Sequence, residues 1–392
     1  MKVLVVRGLS AYDVLGKAAD EICRGFENCG YEVDLIDAAA EHAAAALQTA
    51  AEHADEYAFY FSMQALFWDM EQREMPWLQR ICRVGWIVDD PIYHAPRLAG
   101  TTGADAHLLT IQNGHVQRVR REYPQIDEVK TLYHGGFSGG IMPEWKKKDI
   151  GVFFSGTYIP VSEAEKEMEQ EADIFRRIAQ ELKSELVGEK ADHVWSEEVQ
   201  RYLKKISFET TDEEFRGILE VMAPLEKYQR AWVRTKMIEE LLKSGIEVSV
   251  VGNGWENYAG EGKEHLRILA GQGVSIEETM QLMGRSKIVL HCMNFFDGMH
   301  ERIYTAMLAN AVCVSYRYDT LFEFFREGRE IVTFPMTHLE ELPQIVTDLL
   351  EHPDRAEAIA AAGFRAAAET HTWERRGEQI AEWMKSGKAF SY

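Results

Sequence analysis

The residues best suited to chemistry in this sequence lie in short polar clusters that follow apolar runs. One such cluster is Asp297-Gly298-Met299-His300-Glu301-Arg302. It follows the apolar run Ser286–Met293 and a turn at Asn294–Gly298, and it opens a helix predicted over Met299–Asn310. A helix start of this kind favours an anion: its first N–H groups lack partners, the helix dipole is positive there, and Gly298 admits close backbone approach. Arg302 and His300 add side-chain donors. The corresponding chemistry is the grip on a phosphate. A plainer account also fits, with Asp297 as a helix cap and His300, Glu301 and Arg302 as a solvated first turn.

Further clusters recur at the ends of predicted strands. Ile150–Ser155 runs into Gly156-Thr157-Tyr158, a small loop able to approach a phosphate. Ile246–Val251 runs into Gly252-Asn253-Gly254-Trp255, where Trp255 either stacks on a base or sugar or is a core residue. Ser275 stands at the capping position of a helix, and Arg234 near the start of another predicted over Trp232–Ser244. In the first half, Asp89-Asp90-Pro91-Ile92-Tyr93-His94 follows a strand near Val84–Val88. A carboxylate or histidine there can act as general base or hold a substrate hydroxyl, and a capped turn is the structural alternative. Asn113-Gly114-His115 follows the next strand, with His115 read as structural. The glycine-rich run from His134 to Gly140 reads as a flexible hinge.

The elements needed to position these clusters are strands alternating with helices. Apolar runs at Lys2–Val6, Glu32–Ile36, Tyr57–Ser62, Val84–Val88, Ala106–Ile111 and Val129–Tyr133 predict a first doubly wound α/β domain over 1–145. Lys146-Lys147-Lys148-Asp149 reads as a charged linker, and a second Rossmann-like domain is predicted over 146–375. Glu-, Lys-, Ala- and Leu-rich stretches at Glu163–Leu186 and Asp212–Tyr228 predict a helical insertion over about 161–230, either solvated or serving to cover the donor site, bind acceptor or form an oligomer contact. The stretch 376–392 is expected to be a helix and tail crossing back to the first domain. No G-x-G-x-x-G follows the first strand, which argues against a dehydrogenase.

Composition narrows the class. The 392 residues are 46% hydrophobic and 27% charged, enough for two or three packed domains. A formal net charge of −21 disfavours nucleic acid and anionic membrane surfaces as partners. No apolar run approaches transmembrane length, and Met1–Arg7 reads as a strand and not a signal peptide. Five scattered cysteines without a C-x-x-C pair point to a reduced, cytoplasmic protein with no metal site.

From Asp149 to Met384 the chain resembles the donor-binding half of GT-B glycosyltransferases, most closely the CgeB-like, spore-maturation-type branch. The resemblance rests on His300-Glu301-Arg302-Ile303-Tyr304-Thr305-Ala306-Met307, the Gly252-x-Gly254-Trp255 turn, Gly328-Arg329-Glu330-Ile331-Val332-Thr333-Phe334, Leu339-Glu340-Glu341-Leu342 and His371-Thr372-Trp373. It implies two Rossmann-like domains facing a central cleft and sugar transfer from a nucleoside-diphosphate sugar to an acceptor hydroxyl, without cofactor or metal. It implies a donor site drawn from Gly156, Arg234, Asn253, Gly254, Trp255, Ser275, Asp297, Gly298, His300, Glu301, Arg302 and Thr305. The acceptor side would use Asp89, Asp90 and His94. The family's Glu-x7-Glu pattern falls on Asp297 and Thr305, and Asn310 stands where glycine is usual; Glu301 could replace the missing ribose contact. An epimerase or hydrolase on the same scaffold, or a non-catalytic nucleotide-sugar-binding or assembly protein, are the alternatives.

Overall fold

In the computed structural model, which describes residues 1–102, 105–139, 144–292, 298–386 and 390, the strands form two parallel six-stranded sheets. The first contains β1 (Lys2–Arg7), β2 (Glu32–Asp37), β3 (Tyr57–Met63), β4 (Arg83–Trp86), β5 (Ala106–Thr110) and β6 (Glu128–Thr131), in the order β2-β1-β3-β4-β5-β6. The second contains β7 (Ile150–Ser155), β8 (Val248–Val251), β9 (Leu266–Ala270), β10 (Ser286–His291), β11 (Val312–Tyr316) and β12 (Val332–Phe334), in the order β12-β11-β10-β7-β8-β9. The central strands are apolar along their whole length because helices cover both faces of such sheets; Val3 to Val6 and Val312 to Val314 are all buried.

Two compact units result: residues 1–137 with 297–304 and 368–392, and residues 138–296 with 305–367. In the first, helix Val14–Asn28 packs against helix Trp373–Ser386. Glu21 is buried on that helix, and desolvation pushes its carboxyl up to about 7 against the pull of Arg24 and Lys17. A carboxyl raised in the folded state binds more protons there than in the unfolded chain, so its contribution is present at low pH and lost as pH rises through about 7. Glu21→Gln should therefore add about 1–3 kcal/mol at pH 8 and change little at pH 5, measured by urea unfolding.

Three readings of the sequence are corrected here. The helices expected over Asp212–Tyr228 and Trp232–Ser244 are one helix, Asp212–Lys243, with Pro224 inside it. It starts on a Thr211–Glu214 capping box, and buried residues lie on both sides of Pro224, at Leu219, Met222, Leu225, Tyr228, Gln229, Ala231 and Val233, so packing carries the helix past the proline. Lys148 is not a solvated linker residue: it is buried and donates to the carbonyls of Gly284 (2.6 Å) and Ala309 (3.1 Å), at the ends of helices Ile276–Arg285 and Glu301–Leu308. A cation suits two helix C-termini, and desolvation pushes its amine down to about 8. The run expected as a hinge, His134 to Gly140, does contain the boundary between the units, after Phe137, but its first residues are tied down, and Gly140 lies outside the described residues. Gly136 bridges in parallel to Thr372 and donates to the His371 carbonyl (2.7 Å), while Arg376, fully buried, donates to the carbonyls of Tyr133 (2.7 Å) and His134 (3.0 Å).

All five cysteines are free thiols. Among the described residues, no helix is long and apolar enough to cross a membrane.

Candidate functional site

In open parallel sheets a crevice opens at the carboxyl ends of the strands where the strand order reverses. The two reversals here fall between β1 and β3 in the first unit and between β7 and β10 in the second. Most of the clusters singled out above lie at these edges, because a loop that follows a parallel strand has no other place to emerge.

In the first unit, Asp89 and Asp90 follow β4 but do different work. Asp90 accepts from the Ile92 N–H (2.9 Å) and from Arg118 Nη1 (2.8 Å), so it is the capped turn. Asp89 is exposed, its side chain 57% accessible, and His94 Nε2 lies 3.9 Å from its Oδ2. Gln64 Nε2 donates to the same Oδ2, while Gln64 Oε1 accepts from the Val88 N–H at 3.1 Å. Desolvation pushes the Asp89 carboxyl up, but His94, Gln64 and His134 together hold it below the ordinary range. It is an ionised, oriented carboxylate. His94 is buried behind it, and His115, also buried, lies 3.9 Å from Asp90 Oδ2.

The helix start 298–304 belongs to this unit. His134, buried, hydrogen-bonds the Met299 carbonyl through Nδ1 (2.8 Å), and burial pushes its imidazole down to about 4. It is therefore neutral, with the proton on Nδ1 to donate. The His134 ring stands 5.5 Å from the His300 ring. His300 Nδ1 accepts the Arg302 N–H (3.1 Å), so His300 caps the helix Glu301–Leu308 with its side chain. Gly298 is needed for close approach, but to protein: a Cβ there would overlap the Ile111 carbonyl oxygen. Arg302 is half-buried, and its Nη1 is buried with no hydrogen-bond partner among the described residues. Glu301 is half-buried, whereas Asp297 lies outside the described residues.

In the second unit the loops after β7 and β8 interlock. Arg234 Nη1 donates to the Thr157 carbonyl, and its guanidinium lies 5.5 Å over the Phe154 ring. Gly252 and Gly254 have φ of 130° and 88°, and a Cβ on either would strike the Gly156 or Tyr158 carbonyl. Trp255 takes the core alternative and not the stacking one: it is 0% exposed, lies against Tyr158 at 5.1 Å, and donates Nε1–H to the Gly156 carbonyl at 2.7 Å. Exposed Asn253 accepts the Gly273 N–H through Oδ1 (2.9 Å), and Ser275 caps the helix Ile276–Arg285 by accepting from Glu278 N–H (3.2 Å). Thr305, which stands where the family's ribose-gripping carboxylate is missing, is buried. Asn310 adopts a left-handed φ of 51° just past its helix, the conformation in which asparagine is the usual substitute for glycine.

A further group, Glu185, His193 and Glu198, has spacing compatible with a metal ion. Its carboxylates already pair with Lys190 (2.6 Å) and Arg201, and His193 Nδ1 lies 2.9 Å from Glu198, so the group is tied into contacts within the insertion.

Sequence reasoning missed Gln64 and misjudged His134. Gln64 stands at a strand's carboxyl end, the same signal that singled out Asp89, but its partner lies 25 residues away.

A family model described as glycosyl transferase-like matches residues 230–382. No curated protein matches the sequence significantly. Among solved structures, the Anabaena protein HepE in complex with UDP is 12% identical, with a TM-score of 0.56 over 98% of this chain and 100% of that one. Sucrose-phosphate synthase from Thermosynechococcus elongatus is 10% identical, with a TM-score of 0.55 over 98% of each chain. The T4 phage β-glucosyltransferase is 8% identical, with a TM-score of 0.53 over 98% of this chain and 100% of that one. At these identities the likeness is one of fold: two six-stranded parallel sheets with surrounding helices, the GT-B fold that the sequence resemblance implied.

Proposed function

We propose that this chain is a cytoplasmic glycosyltransferase of the CgeB-like kind, moving a sugar from a nucleoside-diphosphate sugar to an acceptor hydroxyl without a resident metal. The observation that carries the reading is Arg302, a half-buried guanidinium in a helix's first turn whose Nη1 has no hydrogen-bond partner among the described residues. Leaving such a donor unsatisfied costs about 1–3 kcal/mol, which a diphosphate oxygen would offset with a charge-assisted bond. The glycosyl transferase-like match over 230–382 supports it, as do GT-B neighbours solved with UDP and with UDP-glucose.

In this reading the Arg302 guanidinium takes up the charge that develops on the leaving diphosphate, while the Arg302 N–H stays with its His300 cap. The loops at Gly156 and at Asn253–Gly254, with Ser275, serve the nucleoside. The acceptor oxygen bonds to the anomeric carbon as the carbon–oxygen bond to the diphosphate breaks. The electron pair leaves with the diphosphate, and the hydroxyl proton passes to Asp89.

Calorimetric titration of the full chain with UDP, GDP, dTDP and UDP-glucose tests it. One nucleotide should bind with Kd in the range of about 1 μM–1 mM. Arg302→Ala should weaken it about 10–100-fold, and EDTA should leave the transfer rate unchanged. No binding of any nucleotide would sink the reading, and donor consumption to free sugar as the main product would reassign the chain as a hydrolase.

A further inference from the structure

Of the eight non-glycine residues with left-handed backbone among the described residues, five fall in two loops: Tyr12 and Asp13 after β1, and Gln64, Ala65 and Phe67 after β3. These strands are neighbours at the reversal of strand order, and a Cβ on Gly8 would sit 3.2 Å from Leu66 Cδ2, so the loops touch. Glycine adopts this conformation without penalty. A tyrosine and a glutamine held there in strain point to work done by their side chains. That of Gln64 is visible, since it bridges the Val88 N–H and the Asp89 carboxylate.

The loops after β1 and β4, on either side of the β3 loop at this carboxyl edge, carry exposed apolar and aromatic side chains. Leu9 is 89% exposed, Tyr12 43%, and Tyr93, in the loop after β4, 54%. Arg7 is neutralised by Asp20 (3.0 Å) and Asp37 (2.8 Å) and Arg118 by Asp90 (2.8 Å); Arg97 keeps its charge but is turned to the Gln64 carbonyl (3.0 Å). Asp13 and Asp89 are exposed, with no lysine or arginine paired to them among the described residues. Such an edge repels phosphate and carboxylate groups, while tyrosine faces pack on the C–H face of a sugar or on an aryl group.

We propose that the acceptor is uncharged and presents its hydroxyl beside an apolar ring face, as a sugar ring or an aryl or alkyl glycoside does. Tyr12 and Tyr93 hold that face, and Gln64 is the positioning residue that aims Asp89 at the hydroxyl. This rests on the transferase reading above and adds the acceptor's chemical class to it.

The test is binding by the full chain, saturated with UDP, of 4-nitrophenyl β-glucoside and of glucose 6-phosphate, measured by calorimetry. The glucoside should bind at least tenfold more tightly than the phosphate. Tyr12→Gly and Tyr93→Ala should each weaken it about fivefold to tenfold, and Tyr12→Gly should leave Tm unchanged or higher because it relieves backbone strain. Gln64→Gly should lower turnover while leaving glucoside affinity within about threefold, a split that a merely structural role would not produce. Glucose 6-phosphate binding as tightly as the glucoside, no binding of either, unchanged affinity in Tyr12→Gly, or a lower Tm in that variant would each overturn the proposal. UDP affinity, measured separately in the same variants, should stay at the wild-type value; its absence in the wild type would instead reject the transferase reading.

Discussion

On the proposed mechanism Asp89→Asn should lower turnover by about 10²–10⁴-fold, with nucleotide affinity at the wild-type value and only a small loss of Tm from the carboxylate's contacts with His94 and Gln64. The amide keeps the shape of the carboxylate but cannot take the proton that the proposed mechanism assigns to it. Asp90→Asn provides the contrast. That carboxylate is committed to the Ile92 N–H and Arg118, so its loss should lower stability and leave turnover nearly intact. A rate for Asp89→Asn within threefold of wild type would remove Asp89 from the mechanism.

The pH dependence separates the carboxylate from the fold. His94, Gln64 and His134 hold Asp89 below the ordinary carboxylate range against the upward push of desolvation, so its protonation would slow the reaction only in strong acid. The fold gives way first. Burial pushes His134 from 6.5 down to about 4, and burial with the Arg376 charge pushes His371 down to about 3. A histidine lowered in the folded state is protonated first in the unfolded chain, so its contribution is complete above about 6.5 and is lost as pH falls toward the folded value. Acid inactivation should therefore coincide with loss of the near-ultraviolet circular dichroism signal. A rate that fell between pH 6.5 and pH 5 while that signal stayed intact would contradict this assignment.

Arg83→Met should destabilise the chain by about 3–5 kcal/mol, a large share of a typical domain's stability. Arg83 and Glu71 are both fully buried, with Nε 2.9 Å from Oε2, close but poorly aligned as a hydrogen bond. Arg83 also donates to the carbonyls of Leu78 (3.1 Å), Ile81 (3.2 Å) and Thr102 (3.1 Å), and Glu71 accepts from Thr101 Oγ1 at 2.9 Å. The pair thus ties the 71–81 segment and the 101–102 turn to the start of β4. Removing one partner leaves the other as a charge without water or counterion. The double change Glu71→Leu/Arg83→Met should cost much less than either change alone, because no such charge remains. Urea unfolding of the three variants measures this; a single-variant loss below about 1 kcal/mol would show that the pair is solvated.

Much of the architecture was legible in the residues themselves. Runs such as Val3-Leu4-Val5-Val6 and Val312-Cys313-Val314 are apolar at every position because a parallel strand is buried on both faces, and the polar clusters that follow such runs must emerge at the carboxyl edge. That reasoning placed Asp89, Gly156, Asn253 and Arg302 at strand ends or helix starts from local pattern alone. What local pattern does not contain is the identity of a partner distant in sequence. That Asp89 is held by Gln64 and Asp90 by Arg118, that Trp255 lies in the core beneath the Gly156 carbonyl, and that Lys148 and His134 are buried are all contacts across 25 residues or more. Backbone propensity and hydrophobic period act within a few residues, whereas burial and pairing of a polar group depend on which segments the fold brings to it. The strand ends were therefore set by sequence, and which of their polar groups stay available for chemistry was decided by tertiary packing.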